Sequence, residues 1–487
     1  MMLLTHIPAL VVILPLLGAL AASLLPARTA WGVAMAISVL CLAMVAALWL
    51  NLRPEAYLYY LLGGLQQLNG IELKIDSLAL FMLTIIAVGA AACVLHMQRS
   101  LEGEVEESRR HLLYAAVLMA VAGFNGMAVT HDAFNLYVFL EISSLSIYAL
   151  VACGKERQAV SSAFQYLLLG TVGATFILIG IGLIYITTGT LNMDLMAAGL
   201  KDKPLRPLLA AYGFIAAGSM LKMGLFPLHY WLPSAYRHSP GTVTAFMAGM
   251  ATKLSAYAMM RLLYTLHGTA SLGPLLVLCG VLAVLAGSVL ALRQNDLKRM
   301  LAFSSIAQMG YIAIGIGLAT PLALIAVISQ MLAHALAKTT LFLCVANMSF
   351  RLGKPATLEN TRGLATTMPY SAMGFTLAML ALVGLPLTAG FIAKWHLIAA
   401  AMTAPLWLAI PLLLVVVAGS VLALAYGWKT IESLYAKSSK IKEDDAPLVM
   451  LLPVGALVAG LFYAGLNTQF LPWAATASLM LLKGYVP

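Results

Sequence analysis

The sequence predicts an all-α polytopic membrane protein, and two observations carry the prediction. Of its 487 residues, 62% are hydrophobic and 9% charged, where a soluble chain carries about 25% charged residues. The apolar residues also fall into runs long enough to cross a bilayer, which takes about 20 residues per helix. Fourteen runs are expected as spanning helices: 7–26, 31–51, 76–97, 111–130, 133–153, 161–188, 207–232, 241–267, 272–293, 299–319, 321–347, 370–401, 404–430 and 448–468.

The first run starts at Ile7 with no basic residue before it, so it reads as the first helix and not as a cleaved signal peptide. Residues 56–75 differ from the rest. Gly63-Gly64 and Asn69-Gly70 separate short alternating runs and predict a small surface hairpin. The tail 470–483 is too short to span, and is expected to lie at the interface or to extend the last helix. Four units follow from the spacing: 1–110 with helices 1–3 and the hairpin, 111–267 with helices 4–8, 272–430 with helices 9–13, and 448–487 with helix 14 and the tail.

The net charge is +10, but in a membrane protein basic residues set orientation and do not imply nucleic acid. Most of the 28 Lys and Arg fall in the odd-numbered loops. Those loops are therefore expected in the cytoplasm, with both termini outside, in the inner membrane of a prokaryote. Cys41, Cys93, Cys153, Cys279 and Cys344 are scattered through apolar runs and read as small core residues. The spacing shows no cysteine-ligated iron–sulfur site and no nucleotide-binding loop, so no cofactor or metal is expected. The acids Glu102, Glu104, Glu106 and Glu107, and Glu443, Asp444 and Asp445, read as solvated faces; the second cluster could equally contact a partner subunit.

Five charges and a histidine sit deep in apolar helices: Glu141, Lys222, Lys253, His334, Lys338 and Lys394. A charge at the bilayer centre costs roughly 2.5–3.5 kcal/mol, so five cost about 15 kcal/mol. Such groups face the bundle interior, pair or meet water, and mark ion pathways. Gln330, His334 and Lys338 are spaced four apart and share one helix face. Burial disfavours an ammonium, a nearby carboxylate restores it, and histidine titrates near neutrality unaided. A chain of Glu, Lys and His can therefore relay protons. Plainer readings stay open: a snorkelling Lys394, a static Glu141–Lys222 pair, and His334 as a core histidine.

Two of the runs, 207–232 and 370–401, are too long for one straight crossing. They contain Gly224-Leu225-Phe226-Pro227 and Gly384-Leu385-Pro386-Leu387. Proline inside a helix removes a hydrogen bond, and free carbonyls in a membrane are tolerated only within protein or along a wet cavity. Broken helices at corresponding places in two halves point to a transport site. The broken helices, 7 and 12, lie five apart, so helices 4–8 and 9–13 are expected to form inverted five-helix repeats. An ordinary proline kink is the alternative for either helix alone.

Several long motifs then resemble one family. They are IDSLALFM, NLYVFLEISSLSIYALVA, the stretch from Lys222 to Arg261 beginning KMGLFPLHYWLP, RQNDLKRMLAFSSIAQMGY, HALAKTTLFL and GLPLTAGFIAKWHL. Over nearly the whole chain they are similar to the antiporter-like proton-translocating subunits of respiratory complex I, membrane-bound hydrogenases and Mrp-type antiporters. The resemblance implies fourteen helices and broken helices 7 and 12. It implies that Glu141 pairs with Lys222, that Lys253 is a connecting residue, that His334 and Lys338 fill the helix-11 polar positions, and that Lys394 faces the far-side exit. Some members carry glutamate at that last position. Asp296, Lys298 and Arg299 read as structural anchors. Lys394 and the length most resemble the D-type subunit of the Mrp antiporter. The implied partners are other membrane subunits, with protons, and Na+ as a second candidate ion, moved across the bilayer. The hydrogenase and complex I homologues are the alternative; a quinone-binding redox subunit and an inert structural subunit are further ones.

Overall fold

The computed structural model describes residues 2–61, 70–201, 203, 205–266, 268–437 and 444–482. Helices dominate it. Helices α1 (Met2–Leu24), α2 (Ala27–Asn51) and α3 (Ser77–Ser100) come first, with a short hairpin between α2 and α3. Its strands β1 (Leu58–Leu61) and β2 (Glu72–Ile75) are antiparallel, with Leu58 opposite Ile75 and Leu61 opposite Glu72. The turn signals at Gly63-Gly64 and Asn69 lie outside the described residues.

Next come α4 (Glu107–Val129), α5 (Ala133–Ala152), α6 (Arg157–Thr188), α7 (Met193–Leu200), α8 (Leu205–Met223), α9 (Trp231–His238), α10 (Gly241–Phe246) and α11 (Thr252–Thr265). They are followed by α12 (Thr269–Leu292), α13 (Leu297–Leu318), α14 (Pro321–Leu352), α15 (Pro369–Val383), α16 (Ala389–Ala401), α17 (Leu406–Tyr435), α18 (Leu448–Leu466) and α19 (Phe470–Leu482). Among the described residues, 11 helices are long and apolar enough to cross a membrane. Polar N-caps start many of these helices. Asp76, Asp132, Asp296 and Thr320 each accept a backbone N–H from the first turn of α3, α5, α13 and α14, which satisfies donors a helix start leaves free.

Both breaks form where Gly and Pro predict them, and both close in the same way. Gly224 (φ +66°) ends α8 and Gly384 (φ +97°) ends α15. Leu225 N–H reaches back to the Met220 carbonyl at 2.9 Å, and Leu385 N–H to the Leu380 carbonyl at 3.0 Å. This is a Schellman turn, with a left-handed glycine after the last helical residue. Each break thus stops a helix cleanly before the chain resumes as α9 or α16.

Helices α6 and α14 are each 32 residues long. Helix α4 packs on α5, α5 on α6, and α6 on α8 and α9; α12 packs on α13, α13 on α14, and α14 on α15 and α16. Within the second set the backbones nearly touch. A Cβ at Gly280 would stand 2.7 Å from the Gly310 carbonyl, and one at Gly273 2.6 Å from that of Gly317. Small residues let membrane helices approach this closely. Helix α14 is the hub, buried from Ala323 to Met348 along most faces and also flanked by α3, α10 and α18.

One expected helix is modified and two expectations need correction. The run from Gly241 to Thr265 is helical throughout but not α throughout, because a π turn at Met247–Ala251 lies between α10 and α11. The tail does not extend the last helix: α18 stops at Leu466, and α19 packs separately against α3 and α14. Trp473 there lies 4.6 Å from Trp49, ring to ring. Not all the loop acids are solvated faces. Glu104 accepts the Gly241 N–H at 2.8 Å, and Asp445 accepts those of Tyr370 and Ser371 at 2.8 and 3.1 Å. Glu443 lies outside the described residues.

Candidate functional site

In the first half of the site, Lys222 is the second-to-last residue of α8, one turn from the break. Its Nζ donates to Glu141 Oε1 at 2.8 Å and to Ser144 Oγ at 2.8 Å, with Tyr148 OH at 3.3 Å. Ser144 and Tyr148 follow Glu141 by three and seven residues, so α5 presents all three on one face. The Tyr148 ring also lies 5.8 Å from Nζ. Lys222 is 4% exposed, whereas the Glu141 side chain is 19% exposed. The Leu221 carbonyl beside the break is not left bare. Trp231 Nε1 donates to it at 2.9 Å, and the Trp231 ring stacks on Tyr166 at 3.9 Å. Trp231 thus clamps the far side of the break against α6.

The second half uses the same parts in a different order. Lys394 lies after the break, in α16. Its Nζ donates to the Val383 carbonyl at 2.6 Å and to Ser420 Oγ at 2.9 Å, under the Tyr311 ring at 5.2 Å. Val383 is the last residue of α15, so this lysine takes up a carbonyl that the break sets free. Where Lys222 meets a carboxylate, Lys394 meets neutral oxygens.

A third group comes from α11 and α14. Lys253 is fully buried and donates to the Ala248 carbonyl inside the π turn. A π turn withdraws carbonyls from the regular ladder, which gives this ammonium an acceptor. Lys338 is fully buried and donates to the Leu301 carbonyl of α13 at 2.8 Å. His334, 1% exposed, feels the charges of both lysines. Among the described residues, neither of its ring nitrogens has a hydrogen-bond partner. Gln330, one turn earlier, donates to Gln308 Oε1 at 2.7 Å. Of the six residues singled out from the sequence, Glu141 joins Lys222, Lys253 joins His334 and Lys338, and Lys394 stands by itself at the second break.

Sequence reasoning missed most of the groups that hold the four lysines. Ser144 and Tyr148 were legible from helical spacing; the carbonyls of Ala248, Leu301 and Val383 were not. It also missed a buried pair next to the site. Both guanidinium ends of Arg261 on α11 bond the Asp76 carboxylate, and Arg261 Nε donates to Tyr257 OH at 2.9 Å. Burial pushes the Asp76 carboxyl up, but Arg261 and the Ala79 N–H outweigh it and hold the group below the usual carboxylate range. Asp296 does anchor structure: it caps α13 and pairs with Arg237 at 2.5 Å. A cavity of about 480 Å³ lies beside the first break, lined by Gln158, Gln165, His229, Ser234, Arg237 and His238 among others. Its polar lining suits water between the break and the odd-numbered loops. Among the described residues, no group of three or more His, Cys, Asp or Glu is placed to hold a metal.

Buried lysines, an acid and a histidine strung between two broken helices define a class, the antiporter-like proton-translocating membrane subunits. The chain belongs to the NADH:quinone oxidoreductase/Mrp antiporter transmembrane family, whose model matches residues 130–422. It is 38% identical to NADH-quinone oxidoreductase subunit N of Desulforudis audaxviator, covering 96% of this chain and 98% of that one. It is 31% identical to the D-type subunit of the Na(+)/H(+) antiporter of Alkalihalophilus pseudofirmus, over 70% of this chain and 69% of the relative. Its fold matches a chain of the Mrp complex from Dietzia sp. DQ12-45-1b with a TM-score of 0.89 and 26% identity, covering 99% and 98% of the two chains.

Proposed function

We propose that the chain conducts protons along Glu141, Lys222, Lys253, His334, Lys338 and Lys394, as one subunit of a multisubunit membrane complex. The observation that carries this reading is the Lys253–His334–Lys338 cluster. Two amines and an imidazole share a buried site, with no carboxylate among their hydrogen-bond partners in the described residues. Three positive charges there repel one another, so a proton arriving on one member favours departure from another. The ring of His334, which has no hydrogen-bond partner among the described residues, can take and release a proton without breaking such a bond. Glu141 stabilises the charged form of Lys222 and so controls when its proton moves on. Lys394, bound to neutral acceptors, gives up a proton without losing an ion-pair partner.

Units 111–267 and 272–430 serve as inverted repeats, supported by the five-helix offset and the matching order of packing. The odd-numbered loops face the cytoplasm, supported by their share of Lys and Arg. In the reading the comparisons favour, the complex is a redox-driven one of the quinone oxidoreductase type, since the 38% identity to a subunit N runs over nearly both chains. The cation/proton antiporter reading, with a D-type subunit and protons exchanged for Na+, is favoured by the whole-chain match to an Mrp complex and by lysine at position 394. Copurification in mild detergent separates the two: quinone-reducing subunits support the first and antiporter subunits the second.

The test of conduction is proton movement in everted membrane vesicles from cells that make the whole complex. Lys222→Ala and Glu141→Ala should each abolish it while the complex assembles. Full rates in both variants defeat the relay.

A further inference from the structure

A second buried polar chain runs beside the relay. His96 on α3 is fully buried, with Nδ1 2.7 Å from Thr242 Oγ1 on α10 and Nε2 2.8 Å from Asn347 Oδ1 on α14. Thr242 Oγ1 lies 2.6 Å from Ser100 Oγ. Asn347 Nδ2 reaches Ser371 Oγ at 3.1 Å, and Ser371 Oγ reaches Asp445 Oδ1 at 2.6 Å. Every link joins a different pair of elements except the one at Ser100, which returns to α3.

The direction of each bond can be deduced from the carboxylate end. Asp445 accepts two backbone N–H groups at the start of α15. A carboxylate only accepts, so the Ser371 hydroxyl donates its hydrogen bond to Asp445. Ser371 must then accept from the Asn347 amide nitrogen, which turns the amide oxygen toward His96. That oxygen only accepts, so His96 carries its proton on Nε2. In the neutral imidazole Nδ1 then accepts from Thr242, and Thr242 in turn accepts from Ser100. The whole chain points one way and ends on one charge. It is not a proton wire, because the Asn347 amide interrupts it.

The same bonds fix a position. Thr242 and the π turn belong to the segment that leads to Lys253, while Asn347 lies on the helix that carries His334 and Lys338. The segment is pinned to α14 at two further points. A Cβ at Gly241 would meet that of Ala346 at 2.7 Å, and a Cβ at Gly249 would run into Thr339 Oγ1. Charged groups near His96 touch it only through others. Glu104 bonds the Gly241 N–H, Arg99 on α3 pairs with Glu102, and Asp445 is three links away.

We propose that His96 is a positioning residue for proton transfer between Lys253 and the His334–Lys338 pair. As a neutral imidazole protonated on Nε2, it sets the height of the 241–253 segment on α14. The inference rests on the proton-conduction reading above. Small displacements between transfer partners cost roughly tenfold to a hundredfold in rate.

The experiment is the vesicle assay on the whole complex, with Lys222→Ala as reference. His96→Ala should slow proton movement roughly tenfold or more. His96→Gln should restore most of the rate, since its amide can donate to Asn347 and accept from Thr242. Thr242→Val, close in shape, should slow movement and be insensitive to added His96→Gln. An unimpaired His96→Ala overturns the inference, and so does a His96→Gln variant as slow as His96→Ala, which would make His96 a carrier. If His96→Ala fails to assemble, Thr242→Val decides, and a normal rate there overturns the proposal. A fully active Lys222→Ala defeats the conduction reading instead.

Discussion

Glu141 and Lys222 form an unequal pair: the ammonium is enclosed and the carboxylate, 2.8 Å away, keeps one edge toward the outside of α5. The acid is thus the member that a neighbouring subunit or water can reach. Glu141→Gln leaves a buried lysine with Ser144 and Tyr148 but no opposing charge. Losing one partner of a buried pair costs about 3–5 kcal/mol if the lysine stays charged. The expected outcome is proton flux below a tenth of wild type, roughly, with assembly intact on a native gel. Glu141→Asp should keep a fraction of the flux.

His334 offers a test that separates function from folding. Its ring makes no hydrogen bond among the described residues, so an apolar side chain of similar size leaves no new orphan. Replacing unsatisfied polar atoms in a core is close to neutral or stabilising. His334→Leu should keep or raise the melting temperature in detergent and lose most proton flux. A drop in melting temperature with normal flux contradicts the assigned role.

Gly390 faces the second break directly. A Cβ there would overlap the Ala381 carbonyl. Gly390→Ala must push α16 away from α15 and separate Lys394 from the Val383 carbonyl. Overpacking of this kind costs typically about 1–3 kcal/mol. Thermal unfolding should show that loss and proton flux should fall, whereas Lys394→Met should lower the flux without the loss of stability.

Asp76 gives the stability a pH dependence of known sign. Arg261 holds its carboxyl below the usual range in the folded protein, while the unfolded chain titrates near an ordinary value of about 3.9. The pair's contribution is therefore complete above about pH 4 and is lost as pH falls through the folded value. Asp76→Asn should cost about 3–5 kcal/mol at neutral pH and flatten the acid limb of a melting-temperature profile.

The sequence carried the membrane fold because apolar runs and Gly-Pro breaks are local signals. Gly224 and Gly384 end their helices where the motif says they must. The six residues proposed for the relay stand out in the sequence because each is anomalous in its surroundings. What escaped was held by partners that no spacing announces. The acceptors of Lys253, Lys338 and Lys394 are main-chain carbonyls, which every residue possesses. Arg261 escapes notice because it lies near a helix end, where a basic residue looks ordinary; only the fold brings Asp76 to it across 185 positions. Glu104 and Asp445 look like solvated acids for the same reason.

The π turn at Met247–Ala251 means that this stretch holds one residue more than a plain α-helix would need between the same two neighbours. The surplus is what frees the Ala248 carbonyl for Lys253. Deleting a single residue here would heal the ladder, with Gly241 and Arg261 still at their contacts, and would leave the lysine without its acceptor. The binding environment of Lys253 is thus written in chain length as much as in residue identity, and a comparison that matches every side chain but skips one position in this stretch would miss it.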